Sequence, residues 1–375
     1  MNTRTPLETP SPTPVLSVAF NDDCSCFAVG LNTGFCIFQS DAATLRTARD
    51  FRAGVGLVQM MGKANYLGVV GGGRQPKYAG NKLIVWDESK SKEALEISAL
   101  TPVRGVQLSK ERIVVVLQNS VRAYKFAKPP SLVSAYETAN NPLGLCCLSA
   151  RRIAFPGRTA GHIQVVEITT GNVSIIPAHS SAIRALGVSP DGELLATASE
   201  TGTLIRIFSM NNCARLGELR RGIDPATIFS LAFSPSGTLL ACTSDKSTLH
   251  IFDVPNPRKP GRNQDPENGE GQTKWGILSR IPMMPRLFSD PYSFASAPFE
   301  SGEEPIQKSQ ALSDSMTLGT GKVPKGVIGW LSDTSLVVVG AGRDARWEKF
   351  NIVEDSDGRR HCVREGWRRY MVGSA

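Results

Sequence analysis

Arg220 and Arg221 stand side by side in Leu219-Arg-Arg-Gly222, where one apolar run gives way to the next. Consecutive side chains of an extended strand point to opposite faces, so the two guanidinium groups should serve two pockets and not one. Each side has polar residues to match. His179, Ser199, Thr201, Thr203 and Arg206 precede the pair, and Ser230, Ser244, Lys246, Thr248 and His250 follow it. Guanidinium forks, hydroxyls and imidazoles all donate to phosphate oxygens, each charge-assisted bond contributing about 1.5–3 kcal/mol. Two anion sites are expected, one on each side of the strand. The competing reading of any single hydroxyl or histidine is turn chemistry or bonding between neighbouring sheets.

Such residues need a scaffold that gathers strand ends from adjacent sheets. Short β-branched and aromatic runs separated by Gly, Asn, Asp and Pro predict an all-β chain. Ser189-Pro-Asp-Gly-Glu-Leu-Leu-Ala-Thr-Ala-Ser199 returns 45 residues later as Ser234-Pro-Ser-Gly-Thr-Leu-Leu-Ala-Cys-Thr-Ser244. The same hairpin can be followed through Phe27, Leu67, Ile113, Ile153, Leu195, Leu240 and Leu336, with gaps of 40, 46, 40, 42, 45 and 96. Five gaps match one four-stranded blade and the sixth is a blade plus an insertion, which predicts a seven-bladed β-propeller with a long loop inserted in blade six. Trp86-Asp87 and Phe252-Asp253 fall where third strands should end. The expected organisation is a flexible tail over 1–13 and a single propeller over 14–375. The insertion should cover about 255–291 and a second polar loop about 300–323. Within the insertion, Trp275, Ile277, Leu278, Ile281, Met283, Met284, Leu287 and Phe288 are interspersed with Lys274, Arg280 and Arg286, a mixture suited to acyl chains beside anionic headgroups. The rival reading is a satellite core on blade six, because Pro282 and Pro285 prevent a regular amphipathic helix.

Composition narrows the partners. The 375 residues carry a formal net charge of +8 with 41% apolar and 20% charged residues, which favours a polyanionic partner of a folded protein. The eight cysteines form no CxxC pair, so they read as small core residues in a reducing compartment, and a metal site is not expected. No apolar run reaches the roughly 18 residues of a spanning helix, so membrane contact should be peripheral. Gly319-Thr-Gly-Lys-Val323 lacks the Ser or Thr a phosphate loop requires, and Gly71-Gly-Gly73 has no helix behind it for a dinucleotide. No catalytic constellation emerges, and no cofactor or enzymatic activity is expected. Without an aromatic stripe among the basic residues, nucleic acid is not an expected partner.

The run Gly217-Glu-Leu-Arg-Arg-Gly222, followed by Ile228-Phe-Ser-Leu-Ala-Phe-Ser-Pro-Ser-Gly237 and Ser244-Asp-Lys-Ser-Thr-Leu-His-Ile-Phe252, resembles the signature of the PROPPIN family. The resemblance implies binding of phosphatidylinositol 3-phosphate and phosphatidylinositol 3,5-bisphosphate at two sites flanking the double arginine. It implies a monomeric scaffold that works in autophagy, including selective autophagy, from the cytoplasm on preautophagosomal, endosomal or vacuolar membranes. His179, Ser199, Thr201, Thr203, Arg206 and Arg220 would form the first site, and Arg221, Ser230, Ser244, Lys246, Thr248 and His250 the second. Leu219 precedes the arginines where many members have phenylalanine, which is similar to a leucine-type branch. Phe20-Asn-Asp-Asp-Cys-Ser-Cys-Phe27 also resembles that branch, implying capture of an Atg2-type lipid-transfer protein through Asn21 and Asp23, whose other reading is a tight turn. The rival function is a WD-type protein-binding scaffold without specific lipid binding.

Overall fold

The computed structural model describes residues 14–255, 291–300 and 325–371. Among them the strands form seven four-stranded antiparallel sheets, each made of four strands consecutive in sequence. The sheets span 15–50, 55–98, 105–137, 147–177, 183–220, 228–298 and 327–369 and are numbered here as blades one to seven. Each of Phe27, Leu67, Ile113, Ile153, Leu195, Leu240 and Leu336 is the second residue of the second strand of its blade. None is more than 3% exposed. The repeat in the sequence is therefore the repeat of the core.

Second strands are buried along their length, as in Cys26–Leu31, because each lies inside a sheet that packs on both faces. Fourth strands lie at the edge, and Thr44–Asp50 and Ser131–Glu137 have no fully buried residue. Among the described residues seven apolar clusters form, and each joins one blade to the next around the ring. The last cluster closes it: Val15, Phe27 and Phe38 of blade one pack with Val337, Trp347 and Tyr370 of blade seven. Val15 and Gly342 exchange two main-chain hydrogen bonds of 2.9 Å, and Trp347 Nε1 donates to the Ser40 carbonyl at 2.7 Å. Among the described residues neither end blade lends a strand to the other.

In blade six the third strand, Thr248–Asp253, pairs with a fourth strand, Ala295–Pro298, across the residues between them. That fourth strand begins at Ala295, just past the expected end of the insertion near residue 291. Trp86-Asp87 and Phe252-Asp253 end the third strands of blades two and six. The tail over 1–13, most of the insertion, including Trp275, Ile277, Leu278, Ile281, Met283, Met284, Leu287 and Phe288, and nearly all of the second polar loop lie outside the described residues.

Candidate anion-binding site

Successive strands of a blade alternate in direction, so the turns between second and third strands share one face of the ring with the links from blade to blade. His179 lies in the link from blade four to five, Thr201 and Lys246 in second-to-third turns, and Arg220 and Arg221 where blade five ends. The topology alone brings both candidate groups to one side of the ring.

The first group lies on the face of blade five that meets blade four. Leu195 and Phe208 belong to the cluster joining those blades, and Thr197 and Arg206 share their face by alternation. His179 Nε2 is 2.9 Å from Thr197 Oγ1. Arg206 donates from Nε to Glu218 at 2.5 Å and from a terminal nitrogen to the Ala178 carbonyl at 2.5 Å. Register places Arg206 opposite Glu218 and Leu204 opposite Arg220, so Arg220 stands on the Arg206 face. Leu219 turns the other way, 1% exposed in the cluster with blade six, where its side chain is core. Ser199 and Thr201 hydroxyls are 2.8 Å apart, with Ser181 at 3.4 Å from Thr201. Thr203 contributes its carbonyl, which accepts from the Arg221 N–H at 2.9 Å. Beside Arg206 a cavity of about 250 Å³ opens between the blades, lined also by Ile176, Pro177, Phe208, Cys213 and Arg215.

The second group faces back from blade six. His250 pairs in register with Cys242, and Cys242 and Phe252 belong to the cluster joining blades five and six. Arg221 lies close enough to act electrostatically on both His250 and Cys242. Its Nε donates to the Gly202 carbonyl at 2.9 Å, and a terminal nitrogen donates to the Asp224 carbonyl. Gly202 sits at φ +63, and a Cβ there would lie 1.8 Å from the Ala226 carbonyl oxygen, so only glycine allows this approach. Ser244 is fully buried, accepting weakly from the Lys246 N–H at 3.4 Å, and the Thr248 hydroxyl donates to the Lys246 carbonyl at 3.0 Å. Ser230 points elsewhere: its hydroxyl accepts from the Ile328 N–H of blade seven at 3.3 Å.

Arg220 and Arg221 are only 8% and 7% exposed, so each charge is largely withdrawn from water and an anion beside it interacts strongly. Burial, followed by the Arg206 guanidinium, pushes the His179 imidazole down to about 4, and burial followed by Arg221 does the same to His250. Both rings are neutral at neutral pH. Three participants escape the sequence reading. Thr197, two residues before Ser199 on the same face, was findable by alternation. Glu218, which occupies Arg206, and Ser293, whose hydroxyl is 3.0 Å from His250 Nδ1, were not, because Ser293 is separated from His250 by the insertion.

Asn21 and Asp23 lie in the first turn of blade one. Asn21 is 4% exposed, accepts from the Cys26 N–H at 2.9 Å and donates to Asp23 at 2.8 Å. Asp23 also receives Ser25 and an ion pair from Lys63 at 2.6 Å, which hold its carboxyl down at about 2 against the opposing effect of burial. Among the described residues no group of three or more His, Cys, Asp or Glu is placed to hold a metal ion, and no helix is long and apolar enough to cross a membrane.

The sequence matches the PROPPIN family over residues 15–291. SVP1-like protein 2 of Neurospora crassa is 52% identical over 99% of this chain and 99% of its own length. The solved structure of Kluyveromyces lactis Hsv2 superposes with a TM-score of 0.75 at 22% identity, covering 96% of this chain and 99% of that one. KlAtg21, solved in complex with the coiled-coil of AgAtg16, superposes with a TM-score of 0.66 at 18% identity, covering 95% and 99%. At these identities the two structures share its fold.

Proposed function

Because the chain belongs to the PROPPIN family of phosphoinositide-binding β-propellers of autophagy, a scaffold family and not an enzyme family, we propose that its two arginine–histidine groups are the headgroup sites. One observation carries the reading: two adjacent buried arginines part to opposite faces of one blade end, Arg221 close to the half-buried, neutral His250 and Arg220 on the face of Arg206, which acts on the half-buried, neutral His179. The ligands are phosphatidylinositol 3-phosphate and 3,5-bisphosphate in a membrane. Arg206, Arg220, His179, Ser199, Thr201 and Thr203 serve the first site, and Arg221, His250, Ser244, Lys246 and Thr248 the second. Ser230, bonded toward blade seven, stands apart from this second group.

The apolar residues of the insertion add burial in the interface, at about 0.8 kcal/mol per buried CH₂. Two sites on a rigid ring raise the effective concentration for the second lipid, so neither signal needs to be strong alone. The monomeric ring associates peripherally with autophagic, endosomal or vacuolar membranes and recruits a partner. An Atg2-type protein at the Asp23 turn is the candidate, and the AgAtg16 complex of KlAtg21 is a precedent for partner binding in a similarly folded protein.

Vesicle flotation tests the reading. Binding confined to vesicles with a 3-phosphorylated inositide, lost in the Arg220→Thr, Arg221→Thr double variant, is the expected result. Equal binding to any anionic vesicle would reduce the sites to nonspecific charge. The second reading, a protein-binding scaffold without lipid selectivity, draws on Glu218, which already pairs with Arg206. It predicts that the double variant loses partner capture while vesicle binding never depends on the inositide.

A further inference from the structure

Residues 291–294 run between the double arginine and blade seven and meet Arg220, His250, Ile251 and Arg360. The Arg220 N–H donates to the Pro291 carbonyl at 2.9 Å, and Tyr292 makes a parallel bridge with Arg220. Ser293 Oγ lies 3.0 Å from His250 Nδ1. Phe294 donates its N–H to the Ile251 carbonyl at 3.0 Å and carries the Arg360 guanidinium 3.7 Å from its ring centroid. Arg360 opens the outer strand of blade seven, Arg360–Arg369, and also forms a two-pronged ion pair with Asp253, at 2.9 and 2.6 Å.

Resting on the headgroup reading above, we propose that residues 291–294 are a brace coupling the two anion sites, with Arg360 of blade seven as the positioning residue that holds the brace in register. The bridge to Arg220 caps the exposed edge of blade five just where the first-site arginine leaves it. The Ser293 hydroxyl engages Nδ1 of His250, which leaves Nε2 as the nitrogen to meet a phosphate. Both contacts depend on where the four residues lie, and that position is set at one end jointly by the Phe294 N–H bond to Ile251, which continues the blade-six ladder, and by the planar guanidinium, which stacks on Phe294 and forks onto Asp253. A displacement at Arg360 therefore reaches His250 through Phe294 and Ser293, and reaches Arg220 through Tyr292 and Pro291.

The full-length chain with ¹⁵N-labelled histidine provides the test, since its four histidines allow the His250 ring to be followed directly. Without ligand, Arg360→Gln and Phe294→Leu should each shift the His250 ring nitrogens while leaving those of His162 in place. Both should weaken calorimetric binding of a soluble short-chain phosphatidylinositol 3-phosphate by roughly three- to tenfold, the loss expected from one or two misplaced hydrogen bonds. Arg360→Lys, which keeps a cation over the ring, should restore most of the shift and the affinity. Unmoved His250 resonances in folded Arg360→Gln would overturn the brace. If that variant does not fold, unmoved resonances in Phe294→Leu would overturn it equally. Should the wild type bind no headgroup while the ring shifts move as expected, the lipid reading fails and the brace stands.

Discussion

Arg221 is held by two main-chain carbonyls, of Gly202 and Asp224, and its replacement therefore acts on the fold as well as on the site. Arg221→Thr leaves both carbonyls without that donor, and a loss of about 1–3 kcal/mol is expected in urea unfolding. A change within a few tenths would mean that water replaces the guanidinium and that the arginine is free to serve a ligand. The histidines give a second prediction. His179 and His250 titrate near 4 in the folded chain, against 6.5 unperturbed. Between those values the unfolded chain binds more protons, so their contribution to stability is intact above pH 6.5 and is lost as the pH falls toward 4. A phosphate seated beside either ring favours the imidazolium, so headgroup binding should take up protons. Calorimetry in two buffers of different ionisation enthalpy measures that uptake, and none would remove the histidines from the sites. Alternation separated Arg220 from Arg221 in the sequence, but it fails at Ser230. A bulge between Ile228 and Ser230 turns that side chain away from the Ile228 face, and nothing in Ile228-Phe-Ser-Leu announces the extra residue.

Among the elements, the Asn21–Cys26 turn divides a structural residue from an available one. Asn21→Ala strands the Cys26 N–H in a buried position and should cost about 1–3 kcal/mol, whereas Asp23→Ala removes a half-exposed pair with Lys63 and one acceptor of the Asn21 amide, which keeps Ser25 Oγ at 3.1 Å and the Gly62 carbonyl at 3.4 Å, and should cost about 1 kcal/mol. Asp23→Ala is thus the variant in which to measure capture of an Atg2-type protein. Normal capture would leave the turn a purely structural device. For the insertion, Ile277, Leu278, Leu287 and Phe288 replaced by serine should weaken vesicle binding while soluble headgroup binding survives. Loss of both together would instead assign these residues to the core of blade six. The second strands were legible because their burial is continuous and their spacing regular. The fourth strand of blade six was harder to place, since Ala295–Pro298 is short and its partner lies far back in the sequence.

At the scale of the whole ring, the seven blades followed from the spacing of seven apolar residues, but the manner of closure did not. Four strands in order read the same whether or not the first is lent to the last blade, and only side-chain packing decides between them. Here Val15, Phe38, Trp347 and Tyr370 make the joint, aided by the paired bonds of Val15 and Gly342. Native-state hydrogen exchange should find these two amides opening at lower free energy than the second strand of blade five, and equal protection would show the ring to be uniformly cooperative. Because among the described residues only the Val15–Gly342 bridge and side-chain packing cross that joint, parting it should break no blade: the ring would become a split washer of seven whole sheets, able to spring shut again without refolding any of them.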